Sequence, residues 1–367
     1  MKFLTKKVLS PGMIVLTHIA FSIALIMAWT VVKRGWDFSV TSFSNENFYM
    51  AGGPDHFSLA AVAIGAMFKY LHFNHLAFYL FNTFISAVTV IVFFNMARTC
   101  LDRKLSLYIT AIFALNPEFV FFNNFVLKEN IIILAIVVVM YLFFKALATD
   151  SLRYKILFCL LLPLILLLRK PLVLMGILPI VFLPKCTRKL ILISGIAVAS
   201  YVLIYLLRLC WTSNLGDYGV TKIIIEDMYG APAIVKFYKI FGTPTLLVEY
   251  LFRSTLYYIR PGWSAGAKFN SFLVPYTLIA VYIFIASLRY RHFLSHIYRN
   301  AYLTIALIII GTSLILIVYD PIERYRYSIY QFGFTLLILN LRGYQEHRKS
   351  NLYPRPAEIR ALEPAAV

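Results

Sequence analysis

Charge is scarce in this chain. Only 14% of its 367 residues are charged, where a water-soluble domain keeps roughly a quarter. A soluble globular fold of this length is therefore excluded. Acid is scarcest, with 16 Asp and Glu against 35 Lys and Arg. Cysteine is limited to Cys100, Cys159, Cys186 and Cys210. They are scattered without a CxxC pair, so neither a disulfide framework nor a zinc site can be argued from them. No glycine-rich nucleotide loop, HExxH or GxSxG motif occurs. The loops between apolar blocks that carry most of the basic residues are too short to fold a nucleotide-binding or catalytic domain.

Apolar residues fill the space that charge leaves. They make up 61% of the chain, and the mean hydropathy is +0.78. They come in blocks of about twenty, the length a helix needs to cross roughly 30 Å of hydrocarbon. Candidate spans run about 12–32, 74–97, 105–122, 129–147, 153–168, 171–184, 189–210, 271–288, 301–319 and 326–341. The fold class expected is all-α integral membrane, with about ten transmembrane helices and both termini cytoplasmic. Residues 1–345 form the polytopic domain, and 346–367, with Pro354, Pro356 and Pro364, form a disordered cytoplasmic tail.

Orientation comes from the basic residues. The net charge of +19 would suggest nucleic acid if it formed a patch on a soluble domain. Instead Arg98, Arg103 and Lys104, then Lys145, Arg153 and Lys155, Lys185, Arg188 and Lys189, and Arg289, Arg291 and Arg299 occupy every second loop. With Lys2, Lys6 and Lys7 this is the positive-inside pattern, so no nucleic-acid partner is expected. The stretch from Met13 to Val32 resembles a signal peptide, but it is too long and lacks a small-residue cleavage site. It reads as the first span.

Two outer segments are longer than turns. Lys33 to Phe73 contains the weakly apolar Ser58–Leu71, and Trp211 to Asn270 contains Ile240–Ile259, interrupted by Gly242, Pro244, Glu249 and Arg253. Both read as interfacial helices in long outer loops.

Four polar clusters map to the outer face. The first loop carries Asp37, Glu46 and Asp55, with Glu46 in the run Asn45-Glu46-Asn47-Phe48-Tyr49. The third-to-fourth span connection holds Asn116-Pro117-Glu118 and Asn124-Phe125-Val126-Leu127-Lys128-Glu129. A turn reads Arg169-Lys170-Pro171, and the last outer loop reads Asp320-Pro321-Ile322-Glu323-Arg324-Tyr325-Arg326-Tyr327. Guanidinium groups clamp a lipid-borne phosphate through paired, charge-assisted hydrogen bonds. A carboxylate takes the proton of an attacking hydroxyl, and no nucleotide is needed.

Plainer readings stand beside these. Arg169 and Lys170 can snorkel to headgroups. Glu118 and Glu129 can cap helices, the latter at a favourable dipole end. Asp37 and Asp55 can be solvated loop acids, and the Glu323–Arg326 run can be a structural ion-pair cluster. His72 with His75, and His292 with His296, have spacings that allow two metal ligands but show no third. A divalent metal is left open, and no other cofactor is expected.

At these clusters the chain resembles the GT-C superfamily of polytopic glycosyltransferases, which includes protein O-mannosyltransferase-like and aminoarabinose-transferase-like enzymes. Asn45-Glu46-Asn47-Phe48-Tyr49 resembles the acidic first-loop motif, although Asn45 stands where the family commonly has an Asp. Asn74-His75-Leu76-Ala77 with Asn82 resembles the start of the second span. Asn116-Pro117-Glu118 through Leu127-Lys128-Glu129, Leu168-Arg169-Lys170-Pro171 and Arg324-Tyr325-Arg326-Tyr327 resemble the later motifs. The resemblance implies inverting transfer of a sugar from a polyprenyl-phosphate donor to a glycan, lipid or protein hydroxyl, outside a bacterial inner membrane. Glu46 or Asp37 would be the base. Arg324, Arg326, Arg169 and Lys128 would bind the lipid phosphate, supported by Tyr49, Glu129 and Glu323. The rivals are a repeat-unit polymerase of O-antigen or exopolysaccharide and a lipid-glycan flippase. The flippase would need polar residues lining the middle of the spans, and the sequence suggests few.

Overall fold

The computed structural model describes residues 10–34, 64, 66, 67, 70–72, 75–116, 119, 120, 123, 129–168, 170–183, 282–319 and 323–352. Every regular element among them is helical. Among the described residues, seven α-helices are seen from end to end, in chain order: α1 Pro11–Arg34, α2 His75–Cys100, α3 Arg103–Ala114, α4 Glu129–Thr149, α5 Leu152–Leu168, α6 His296–Tyr319 and α7 Glu323–Leu352. Among the described residues, three helical stretches are long and apolar enough to cross a membrane: Pro11–Ala28, Leu76–Cys100 and Glu129–Thr149. The expected spans 189–210 and most of 271–288 lie outside the described residues, as do Ile240–Ile259 and most of Ser58–Leu71.

Three expectations are corrected. The third span was expected at 105–122, but α3 stops at Ala114 after 12 residues. That is about 18 Å of helix, roughly half a membrane crossing. Pro117 follows Asn116, and a residue before proline is driven out of the helical region. The span expected at 171–184 is instead a 3-10 helix, Lys170–Phe182. The tighter winding rises about 2.0 Å per residue, so 13 residues reach about 26 Å. Finally, the boundary placed at 345 falls within α7, which continues to Leu352.

Aromatic contacts hold the bundle together. Phe93 of α2 and Phe113 of α3 stack at 4.0 Å, nearly parallel, and Phe334 of α7 sets its edge against both, at 5.8 and 5.3 Å. A second cluster joins Phe143 of α4, Phe158 of α5 and Phe182 of the 3-10 helix, at 5.5 to 6.0 Å. Edge-to-face and offset geometries of this kind each contribute about 0.5–1.5 kcal/mol beyond burial. Helix α7 is buried all round over most of 331–340, which places it centrally.

The Cys100 end of the bundle is fastened by charge. Arg342 of α7 donates from Nη1 to the Cys100 carbonyl at 3.0 Å and from Nε to Glu346 at 2.8 Å. Its guanidinium lies 5.0 Å over the Tyr298 ring. Glu346 also accepts from the Ser295 backbone at 3.2 Å. Burial pushes the Tyr298 phenol above its usual range, with the Arg342 guanidinium opposing the shift. Other basic side chains here cap carbonyls, as Arg299 does with His292 and Leu294.

Candidate functional site

Polar residues are buried well inside the helical bundle, contrary to the expectation that the spans hold few. His18 and Ser22 are one turn apart on α1, and Asn82 and Ser86 one turn apart on α2; all four are fully buried. Residues four apart share a helix face, so each helix presents a polar pair on one stripe. His18 Nδ1–H donates to the Ala114 carbonyl at 2.7 Å, satisfying an end of α3 that has no intrahelical donor. Its Nε2 is 2.8 Å from Ser86 Oγ, and its ring stacks on Phe119 at 5.2 Å.

The chain beyond α3 joins this network. Asn123 donates from Nδ2 to Ser22 Oγ at 2.9 Å and to Ser86 Oγ at 3.1 Å. Asn130 of α4 in turn donates to Asn123 Oδ1 at 2.6 Å, while its own Oδ1 is buried and unpaired. Ser86 also donates to the Thr83 carbonyl at 2.9 Å. A hydroxyl has a single proton, so the Ser86 proton goes either to Thr83 or to His18 Nε2.

These contacts fix a depth. Ser86 is 11 residues from His75 and 14 from Cys100, about 16 and 21 Å along α2. Asn123 bonds Ser86, so it sits near the middle of α2 and not on the outer face expected for the connection between the third and fourth spans. Glu129, which opens α4 beside Asn130, is likewise buried, at 1% exposure.

Of the expected site residues, Glu129 alone has described surroundings. Asp37, Glu46, Tyr49, Lys128 and Arg169 lie outside the described residues. Glu323, Arg324 and Arg326 lie in the first turn of α7. This corrects the loop or extended backbone expected there. Two positions on a helix differ by about 200° around the axis, so the backbone places Arg324 and Arg326 on opposite stripes of α7.

Among the described residues no group of three His, Cys, Asp or Glu side chains could hold a metal. His296 pairs with Asn300 at 3.1 Å. Sequence reading passed over His18, Ser22, Ser86 and Asn123. The signal available for three of them was the four-residue spacing of polar residues inside apolar runs. Compared with known proteins, the chain matches no family model, no curated protein and no solved structure.

Proposed function

We propose that this chain is an integral membrane glycosyltransferase. It moves a sugar from a polyprenyl-phosphate donor to a hydroxyl of a glycan, lipid or protein at the outer face of a bacterial inner membrane. The topology proposed is about ten spans with both termini cytoplasmic. The observation that carries this reading is the burial of Glu129 and Asn130 at the opening of α4, joined through Asn123 to α1 and α2. The end of the segment whose motif resembles polytopic glycosyltransferases thus lies buried in the bundle.

In this reading an acceptor oxygen attacks the anomeric carbon, and its proton passes to the Glu46 or Asp37 carboxylate. The bond from the anomeric carbon to the phosphate oxygen breaks with inversion. Polyprenyl phosphate leaves with its charge held by Arg324, with Arg326, Arg169 and Lys128 contributing. Tyr49, Glu129 and Glu323 support these groups.

A second reading gains from one observation. The His18–Ser86–Asn123 network sits midway along the helices, as a lipid-glycan flippase requires. Deleting the gene and identifying the lipid-linked species that builds up separates the two. A monosaccharide carrier accumulating on the outer leaflet supports the transferase, and inner-leaflet accumulation overturns it in favour of the flippase. Whole repeat units would overturn it in favour of a polymerase.

A further inference from the structure

Two buried polar side chains on neighbouring helices have no partner at all. Gln331 of α7 is 2% exposed, yet both its amide oxygen and its amide nitrogen lack a hydrogen bond. Thr312 of α6 is fully buried, and its hydroxyl is equally unpaired. Burying such a group unpaired gives up its hydrogen bonds to water without replacement, so in an evolved core it calls for a purpose.

Thr312 departs from a habit of this protein. Thr83, Thr89, Thr110, Thr149, Thr304 and Thr335 each donate to the carbonyl four residues back on their own helix. That bond is open to any helical threonine, and Thr312 does not make it.

The two orphans lie within one helical turn of each other in height. Helices α6 and α7 are antiparallel neighbours, with Ser295 beside Glu346 and Tyr298 beside Arg342 at one end. Thr312 comes seven residues before Tyr319, and Gln331 eight after Glu323. Counted from the Tyr298–Arg342 contact, Thr312 is 14 residues along α6 and Gln331 11 along α7, about 21 and 16 Å. Gln331 is also seven positions after Arg324, two turns along the same stripe of the helix. Asn340 is a further buried amide with both polar atoms unpaired, but it lies nine residues on, near the Arg342 end.

We propose that Thr312 and Gln331 form a hydroxyl-reading subsite for the glycosyl group of the lipid-phosphate donor. A primary amide donates and accepts at neighbouring atoms, and a threonine hydroxyl does both at one atom. Together they match the alternating donors and acceptors of adjacent sugar hydroxyls. The apolar bundle around them makes each unpaired group a strong discriminator against a carrier without sugar. The subsite rests on the transferase reading, and its position two turns below Arg324 leaves the phosphate at the outer end.

The test uses the full-length protein in phosphatidylglycerol–phosphatidylcholine nanodiscs. Its probes are polyprenyl phosphate, bare or carrying glucose, galactose or mannose, with Kd measured for each. Wild type is expected to bind at least one sugar-bearing carrier about tenfold tighter than the bare one. Gln331→Met and Thr312→Val should each bring that ratio near unity with bare-carrier binding unchanged, and Thr312→Ser should restore it. Ligand-free Gln331→Met should melt a few degrees higher, because an unpaired amide has gone; this shows that it is folded. Failure of wild type to bind any carrier would overturn the transferase reading and the subsite with it. If wild type binds carriers but ignores the sugar, or if both variants keep the ratio, the subsite alone is overturned.

Discussion

His18 of α1 closes the end of α3 by donating to the Ala114 carbonyl across 96 residues of sequence, at 2.7 Å. A helix end inside an apolar bundle needs such a partner, because no water is at hand. Replacing His18 with Ala should therefore lower stability by about 1–3 kcal/mol. Gln, which can still donate, should recover part of the loss. Thermal midpoints of the purified variants in one detergent check this, and an unchanged midpoint for His18→Ala would remove the network from the folding account.

Glycines make a sharper pair. A Cβ added at Gly343 would overlap the Tyr290 carbonyl oxygen and lie 2.9 Å from its carbon, both rigid backbone atoms. A Cβ at Gly333 meets nothing within 4 Å. Gly343→Ala should cost about 1–3 kcal/mol through overpacking, whereas Gly333→Ala should be neutral or gain up to about 1 kcal/mol in helix propensity. Equal melting of the two variants would contradict the packing of 289–293 on α7.

The Arg342 and Glu346 side chains stay 32% and 24% exposed at the bundle end, so the pair's own contribution is small. A double-mutant cycle with Arg342→Met and Glu346→Gln should give a coupling of about 0.3–1 kcal/mol. Arg342→Met alone should cost more than Glu346→Gln, because it also abandons the Cys100 carbonyl. Chemical unfolding of the four proteins measures both terms.

Cysteine-scanning tests the proposed topology. In a background lacking the native thiols, cysteines at Asp55, Asp217 and Asp320 should react with an impermeant reagent in intact cells. Those at Arg103, Lys155 and Arg291 should react only after the membrane is opened. Labelling of the second set in intact cells reverses the orientation.

The transferase chemistry has its own check. Glu46→Gln should reduce transfer by about a hundredfold or more if Glu46 is the general base. Arg324→Lys should impair transfer strongly if a planar fork is required. Wild-type transfer by Arg324→Lys at matched expression would return that residue to headgroup anchoring.

Long apolar runs were legible because length and composition alone define them. The helices found at Pro11–Arg34, His75–Cys100, Glu129–Thr149 and Leu152–Leu168 begin and end within about three residues of the spans read from sequence. The stop after Ala114 was written in Asn116-Pro117, but apolar residues on both sides masked it. Depth was illegible for a different reason. Asn123 looks like a loop residue in a linear reading, and only its bonds to Ser22 and Ser86, on helices distant in sequence, draw it inward. The catalytic acids and arginines proposed from sequence stay proposals, because their chemistry depends on convergence that local pattern does not encode.

The halved third helix has a consequence for biosynthesis. A 12-residue helix is too short to partition into a bilayer by itself. Asn123, nine residues past its end, is costly in hydrocarbon until Ser22 and Ser86 receive it. Helix α3 and its continuation must therefore be held back during synthesis until α1 and α2 are in place, then enter together with α4. The first four helices make one insertion unit, and a ribosome-bound intermediate truncated just after α3 should be extractable from the membrane far more readily than one carrying α4.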